Sequence, residues 1–106
     1  MPPRPLGPAT VAVLRALADG ARYGLDVMDR TGLPSGTVYP TLGRLEKRGF
    51  VSGRWEDAGV ARSEGRPRRR YYRLSRAGES ALREAIRQYG ALAGEPLPAD
   101  ARAEEA

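Results

Sequence analysis

Between Leu33 and Phe50 the chain reads L-P-S-G-T-V-Y-P-T-L-G-R-L-E-K-R-G-F. Stepping about 100° per residue puts Val38, Leu42 and Leu45 on one side of a helix. Gly36, Thr37, Pro40, Gly43, Arg44 and Lys47 take the other side, with Tyr39 and Thr41 at the flanks. This pattern predicts a helix over 35–48, with Ser35 as its N-cap and Gly49 just past Lys47 and Arg48 at its C-terminus. The same period recurs upstream. Thr10, Val13, Leu14 and Leu17 predict a helix from Ala9 to Asp19, closed by Gly20. Leu25, Val27 and Met28 predict a shorter one from Tyr23 to Arg30, ended by Thr31-Gly32. A brief turn containing Pro34 joins the second helix to the third, as in a helix-turn-helix.

After Gly49 the apolar spacing shortens to two. Phe50 to Glu56 reads as a strand with Val51 and Trp55 on one face. Arg68 to Leu74 reads as a second strand, Tyr72 and Leu74 sharing one face, Tyr71 and Arg73 the other. Between them, Asp57 to Pro67 is rich in Gly, Ala and Arg, with no apolar side chain larger than Val60, so a long polar loop is expected. Such a hairpin directly after a helix-turn-helix is a wing. From Ser75, as N-cap, to Ala93 the helical period returns. Leu82, Ala85, Ile86, Tyr89, Leu92 and Ala93 fall on one stripe, and Glu79, Arg83, Glu84, Arg87 and Gln88 take the rest. Residues 1–8 hold Pro2, Pro3, Pro5 and Pro8 and are expected to form a flexible N-terminal arm. Residues 94–106, mostly acidic, are expected to be a disordered tail. The expected fold class is mainly α with a small β-hairpin: a winged helix-turn-helix over 9–74, with one additional C-terminal helix over 75–93.

Composition narrows the function. The 106 residues suffice for one small domain, and 18 Lys+Arg against 13 Asp+Glu leave a net charge of +5. That balance favours a polyanionic partner. The chain has no cysteine and no histidine. Disulfides, thiolate nucleophiles, the usual transition-metal ligands and the commonest general base are therefore excluded. No G-x-S-x-G occurs, and the carboxylates form no recurring constellation. Neither enzymatic activity nor a cofactor or metal is expected. No apolar run approaches a membrane span, and Met1-Pro2-Pro3-Arg4-Pro5 lacks the apolar core of a signal peptide. A cytoplasmic protein without membrane contact is expected.

The polar face of the 35–48 helix has no large aliphatic group, two glycines that permit close approach, and hydroxyls and cations. It suits a major groove, with the N-terminal residues near the base edges. The candidates are Ser35, Thr37, Tyr39, Pro40, Thr41 and Arg44, with Arg44 placed to contact guanine. A solvated amphipathic helix has the same pattern, and the neighbouring charge favours the functional reading. From Arg54 to Arg73 there are seven arginines (54, 62, 66, 68, 69, 70, 73) against Glu56, Asp57 and Glu64. Arg66-Pro67-Arg68-Arg69-Arg70-Tyr71-Tyr72 sets cations beside aromatics. Cations this crowded repel without a counter-charge, which a phosphate backbone supplies. The wing, 57–70, is accordingly expected to anchor DNA through Arg66, Arg68, Arg69 and Arg70. Trp55 is expected in the core. With the three helices and hairpin read as a closed core, Leu82, Ile86 and Tyr89 are expected to face a second copy of the chain.

The runs Y-G-L-D-V-M (23–28), P-S-G-T-V-Y-P-T-L-G-R-L-E-K-R-G-F-V (34–51) and R-R-R-Y-Y-R-L-S-R-A-G (68–78) resemble the PadR family of bacterial transcriptional regulators. The resemblance spans about Ala9 to Tyr89, and its specific part is G-T-V-Y-P-T-L-x-R-L-E followed at the right interval by Y-Y-x-L-S/T-x-x-G. It implies a winged-helix fold, dimerisation through the C-terminal helical region, and binding to palindromic operators, usually as a repressor. By position it assigns Thr37, Tyr39, Pro40 and Thr41 to the DNA-facing start of the recognition helix and Arg66 to Arg70 to the basic wing. Tyr23-Gly24 match the motif that opens the second helix, a structural role. Many members carry a long additional helical domain; with one helix there, this chain resembles the short forms.

These expectations converge on a sequence-specific DNA-binding transcriptional regulator, a homodimeric repressor. Release would come from a small-molecule inducer or a partner that alters the spacing of the two reading heads. The alternative is a winged-helix protein-protein interaction module without sequence-specific DNA binding, which fold alone does not exclude. The arginine-rich wing favours DNA, because the core of a protein interface is depleted in charge.

Overall fold

The computed structural model describes residues 5–93. Three helices come first: α1 (Pro8–Ala18), α2 (Gly24–Thr31) and α3 (Ser35–Lys47). A hairpin of β1 (Val51–Trp55) and β2 (Arg70–Leu74) follows, with a short helix α4 (Ala58–Ser63) between its strands, and α5 (Arg76–Ala93) ends the described chain. The expected class, mainly α with a small hairpin, is the one found.

The helix periods were legible because each apolar stripe meets the same core. Val13, Leu14, Val27, Val38, Leu42 and Leu45 are all essentially inaccessible to water. α3 ends as expected. Gly49 takes φ 77°, a conformation that costs a side-chain-bearing residue, and the Phe50 and Gly49 amides donate to the Leu45 and Glu46 carbonyls at 2.9 and 3.0 Å. Its start differs from expectation: Pro34 occupies the N-cap, Ser35 is the first helical residue, and no side chain caps the end. α1 likewise begins one residue early. Pro8 fits the first turn because its missing N–H would have had no intrahelical partner. Just before it, Leu6 packs against the core and its carbonyl accepts from the Tyr89 hydroxyl at 3.1 Å. The rest of the expected arm, residues 1–4, and the expected tail, 94–106, lie outside the described residues.

The strands pair antiparallel from Val51 opposite Leu74 to Trp55 opposite Arg70. Two strands alone are marginal, and the chain before α2 extends the sheet: the Tyr72 amide donates to the Arg22 carbonyl at 2.8 Å, and Tyr23 bridges Tyr71. The expected polar loop is partly helical. Asp57 caps α4 by accepting from the Gly59 amide at 3.3 Å, and Ala61 is buried beneath it. An Asp ahead of A-G-V-A-R-S is the signal that marks such a start.

α5 begins where Ser75 was expected to cap it: the Gly78 amide donates to Ser75 Oγ at 3.0 Å, and Oγ donates to the Gly49 carbonyl at 2.6 Å. Gly78 lies so close to the Phe50 carbonyl that a Cβ there would collide with it. The expectation of a core closed without α5 is corrected. α5 packs on α1, and Leu82 and Ala85 are buried in the same cluster as Val13 and Leu42. Ile86 and Tyr89 are only half-buried at its margin.

Candidate nucleic-acid interface

Packing of α3 against α2 and β1 divides the 35–48 candidates. Ser35, Tyr39, Pro40 and Arg44 are exposed, and Thr37 is half-buried beside them. Thr41 is 1% exposed, in the company of Val38, Leu42 and Leu45. These four span about 100° of the helix, so Thr41 belongs to the core-facing arc rather than to its flank. It cannot present its hydroxyl to a groove. Its Oγ1 instead accepts from Arg44 Nη2 at 3.1 Å, steadying the guanidinium that does face out. Pro40 sits inside the helix on its exposed side. Having no N–H, it cannot donate to the Gly36 carbonyl as another residue at 40 would.

Tyr39 explains the Tyr23-Gly24 pair. The hydroxyl-bearing edge of its ring lies so close to the Gly24 backbone that a Cβ on Gly24 would collide with it, while 47% of Tyr39 remains exposed. Gly24 thereby sets the spacing of α2 and α3 at the end where the exposed candidates cluster.

In the wing the arginines have different partners. Glu56, 5% exposed, receives a bidentate pair from Arg66 at 2.7 and 2.8 Å, the Arg69 backbone amide at 3.2 Å and the Tyr71 hydroxyl at 3.1 Å. The Arg66 hydrogen bonds foremost, aided by the Arg69 amide and the Tyr71 hydroxyl and opposed by burial, pull the Glu56 carboxyl down from 4.5 to about 2. Glu56 in turn raises the Arg66 pKa above its ordinary value. Arg66 was expected to anchor DNA; it is consumed holding the α4 loop to the hairpin, and Glu64 takes its Nε at 3.2 Å. The repulsion expected among crowded cations is thus answered inside the protein. Arg68 Nε donates to the Glu56 carbonyl at 3.0 Å and its guanidinium lies 5.5 Å from the Trp55 ring. Arg69 stacks 4.2 Å over Tyr23. Arg70 donates to Glu46 of α3 at 2.7 Å and lies 5.4 and 5.8 Å from the rings of Trp55 and Tyr72.

Trp55, expected in the core, is 56% exposed. It shares a face with Val51, as the alternation required, but β1 has by then run past the helices that cover Val51. Glu56 was also missed as a counter-charge, because Glu56 and Arg66 are ten residues apart and meet only when the hairpin closes.

Residues 13–84 match the model of the transcriptional regulator PadR-like family, the greater part of the chain. The protein belongs to the PadR-like family. PadR-like proteins are DNA-binding transcriptional regulators, not enzymes. Solved structures agree on the fold. A PadR family regulator from Eggerthella lenta is 26% identical, with a TM-score of 0.63, over 77% of this chain and 74% of that one. PcaV of Streptomyces coelicolor, solved with its natural ligand, is 26% identical at a TM-score of 0.66, over 94% of this chain and 69% of that one. BpsR of Bordetella bronchiseptica, whose DNA binding is regulated by 6-hydroxynicotinic acid, shares the fold at 23% identity and a TM-score of 0.69, over 97% of this chain and 76% of that one. No curated protein matches the chain. Among the described residues, no cluster of acidic side chains could hold a metal and no helix is long and apolar enough to cross a membrane.

Proposed function

We propose that this PadR-like regulator is a cytoplasmic, homodimeric repressor that recognises a palindromic operator. The observation that carries this reading is the bridge from Arg70 to Glu46, which fastens the arginine-bearing end of the wing to the helix presenting Thr37, Tyr39, Pro40 and Arg44. Fixed to one another, the two can engage adjoining parts of one duplex. α3 reads the major groove, with Arg44 discriminating guanine by about 1–3 kcal/mol as a bidentate contact. Ser35 lies at the exposed start of the same helix. Arg68 and Arg69, with part of the charge of Arg70, hold the backbone.

Dimerisation would use Ile86 and Tyr89, since Leu82 is occupied in its own core. These two residues line an apolar cleft of about 310 Å³ with Val11, Ala12 and Arg15 of α1. A small-molecule inducer seated in that cleft would disturb a dimer contact. The regulation of BpsR by 6-hydroxynicotinic acid supports such control. The reading is tested by selecting duplexes from a random pool. A palindromic consensus whose half-sites lie one helical turn or a multiple apart supports it. Arg44→Ala should then relax the preference at one position in each half-site. Recovery of unenriched sequence refutes specific recognition.

A further inference from the structure

We propose that Trp55 contacts DNA directly, packing its indole against the deoxyribose backbone of one strand where that strand passes between α3 and the wing. The proposal rests on the DNA-binding reading and adds a contact outside the expected recognition residues. Trp55, Leu25 and Tyr39 are 56, 57 and 47% exposed, and all three line one groove of about 360 Å³ together with Arg68, Arg69 and Arg70. Large apolar side chains scattered singly on a surface need no explanation, but several in one groove mark an interaction site.

The chemistry of the walls selects the occupant. The guanidinium groups of Arg68 and Arg70 lie 5.5 and 5.4 Å from the Trp55 ring. The groove is lined by four arginines and no carboxylate, so its occupant must carry negative charge along its length. A nucleic-acid strand requires both features, since its phosphates take the arginines and its sugars offer apolar faces to an aromatic ring. The groove's position agrees. It runs from Tyr39 on α3 to Trp55 at the end of β1, so a duplex touching both elements must lay the strand that separates its two grooves across it. Bases in an intact duplex remain stacked, which leaves the sugar edge as the surface for the indole. Trp55 is held ready for this role, because the two arginines beside it are themselves fixed, Arg68 to the Glu56 carbonyl and Arg70 to Glu46.

Trp55 is the chain's one tryptophan, so its emission reports on this groove alone. Acrylamide quenching of the wild-type protein is measured free and with saturating duplex of unrelated sequence at low salt. We expect Trp55 to be shielded in the complex. Trp55→Ala should weaken duplex binding about tenfold, the loss for about 55 Å² of apolar contact, with the salt dependence unchanged because no charge is removed. Trp55→Phe, which keeps an aromatic face, should restore most of the affinity. Duplex bound while Trp55 stays equally quenchable overturns this proposal and leaves DNA binding standing. So does a Trp55→Ala variant whose salt dependence falls with its affinity, since the indole would then act only by placing Arg68 and Arg70. Failure of the wild type to bind any duplex overturns both. The quenching comparison needs no variant, so it stands even if a substitution disturbs the hairpin.

Discussion

Arg70 Nη2 donates to Glu46 Oε2 at 2.7 Å, across the boundary between the hairpin and the recognition helix. The pair is about a third exposed on both sides, so water screens it and its direct contribution to stability is small. Its consequence is geometric and electrostatic: it fixes one element against the other and offsets part of a cation that faces DNA. Glu46→Gln should therefore change unfolding free energy by less than about 1 kcal/mol. It should strengthen non-specific duplex binding at low salt, measured by fluorescence anisotropy. Weaker binding would show that holding the wing matters more than freeing the charge.

The second prediction follows the carboxyl at the centre of the wing. Glu56 has its pKa lowered in the fold, from 4.5 to about 2, so the folded state binds its proton less readily than the unfolded chain. The stability this contributes is fully present above about pH 4.5 and is lost as pH falls toward 2. Glu56→Gln cannot gain or lose that proton. The wild-type advantage over Glu56→Gln should be constant from pH 7 to about 5 and shrink through the acid window. Urea titrations at several pH values measure it; a gap that does not change with acid contradicts the assignment.

Gly24 and Tyr39 yield a third prediction. Gly24→Ala pushes the Tyr39 ring from its seat, and because only the far end of a side chain 47% exposed has to move, the fold should lose less than about 1 kcal/mol. Removing the ring with Tyr39→Ala should cancel that cost, so Gly24→Ala should be neutral or stabilising in the Tyr39→Ala background of a double-mutant cycle. Additive effects would place the cost of Gly24→Ala elsewhere.

A fourth concerns the three consecutive arginines. Replacing Arg68, Arg69 and Arg70 by Ala should lower the slope of log affinity against log salt by about two, as roughly one phosphate contact is lost per slope unit. Sequence crowding alone suggests that folding would be unharmed or improved. The bonds to Glu46 and to the Glu56 carbonyl, with the stacking on Tyr23, predict a lower melting temperature instead. Arg66→Ala should loosen the wing without removing a phosphate contact.

The fifth tests assembly. Ile86→Asp places a charge at the margin of the cleft between α1 and α5 and, buried unpaired in a dimer, is costly. Sedimentation should find monomers with the helical content retained. A variant that stays dimeric at micromolar concentration moves the interface elsewhere.

The sequence by itself determined what depends on neighbours a few residues apart. The stripes Val38, Leu42, Leu45 and Val13, Leu14, Leu17 repeat at the helical period, Ser75 caps through the amide three residues on, and Gly49 ends α3 by taking a positive φ. The motifs that repeat these local choices carried the family. Which side chains remain free for a partner was decided by the tertiary structure, because burial and charge pairing depend on residues distant in the chain. Thr41 reads as a polar flank until the packing of α3 buries it, and Leu82 reads as a spare apolar surface until α5 packs on α1. Arg66 reads as an anchor until Glu56 is brought against it. Trp55 reads as core because alternation places it with Val51, but alternation sets only the face of a strand, and how far the covering helices reach along it is set by packing.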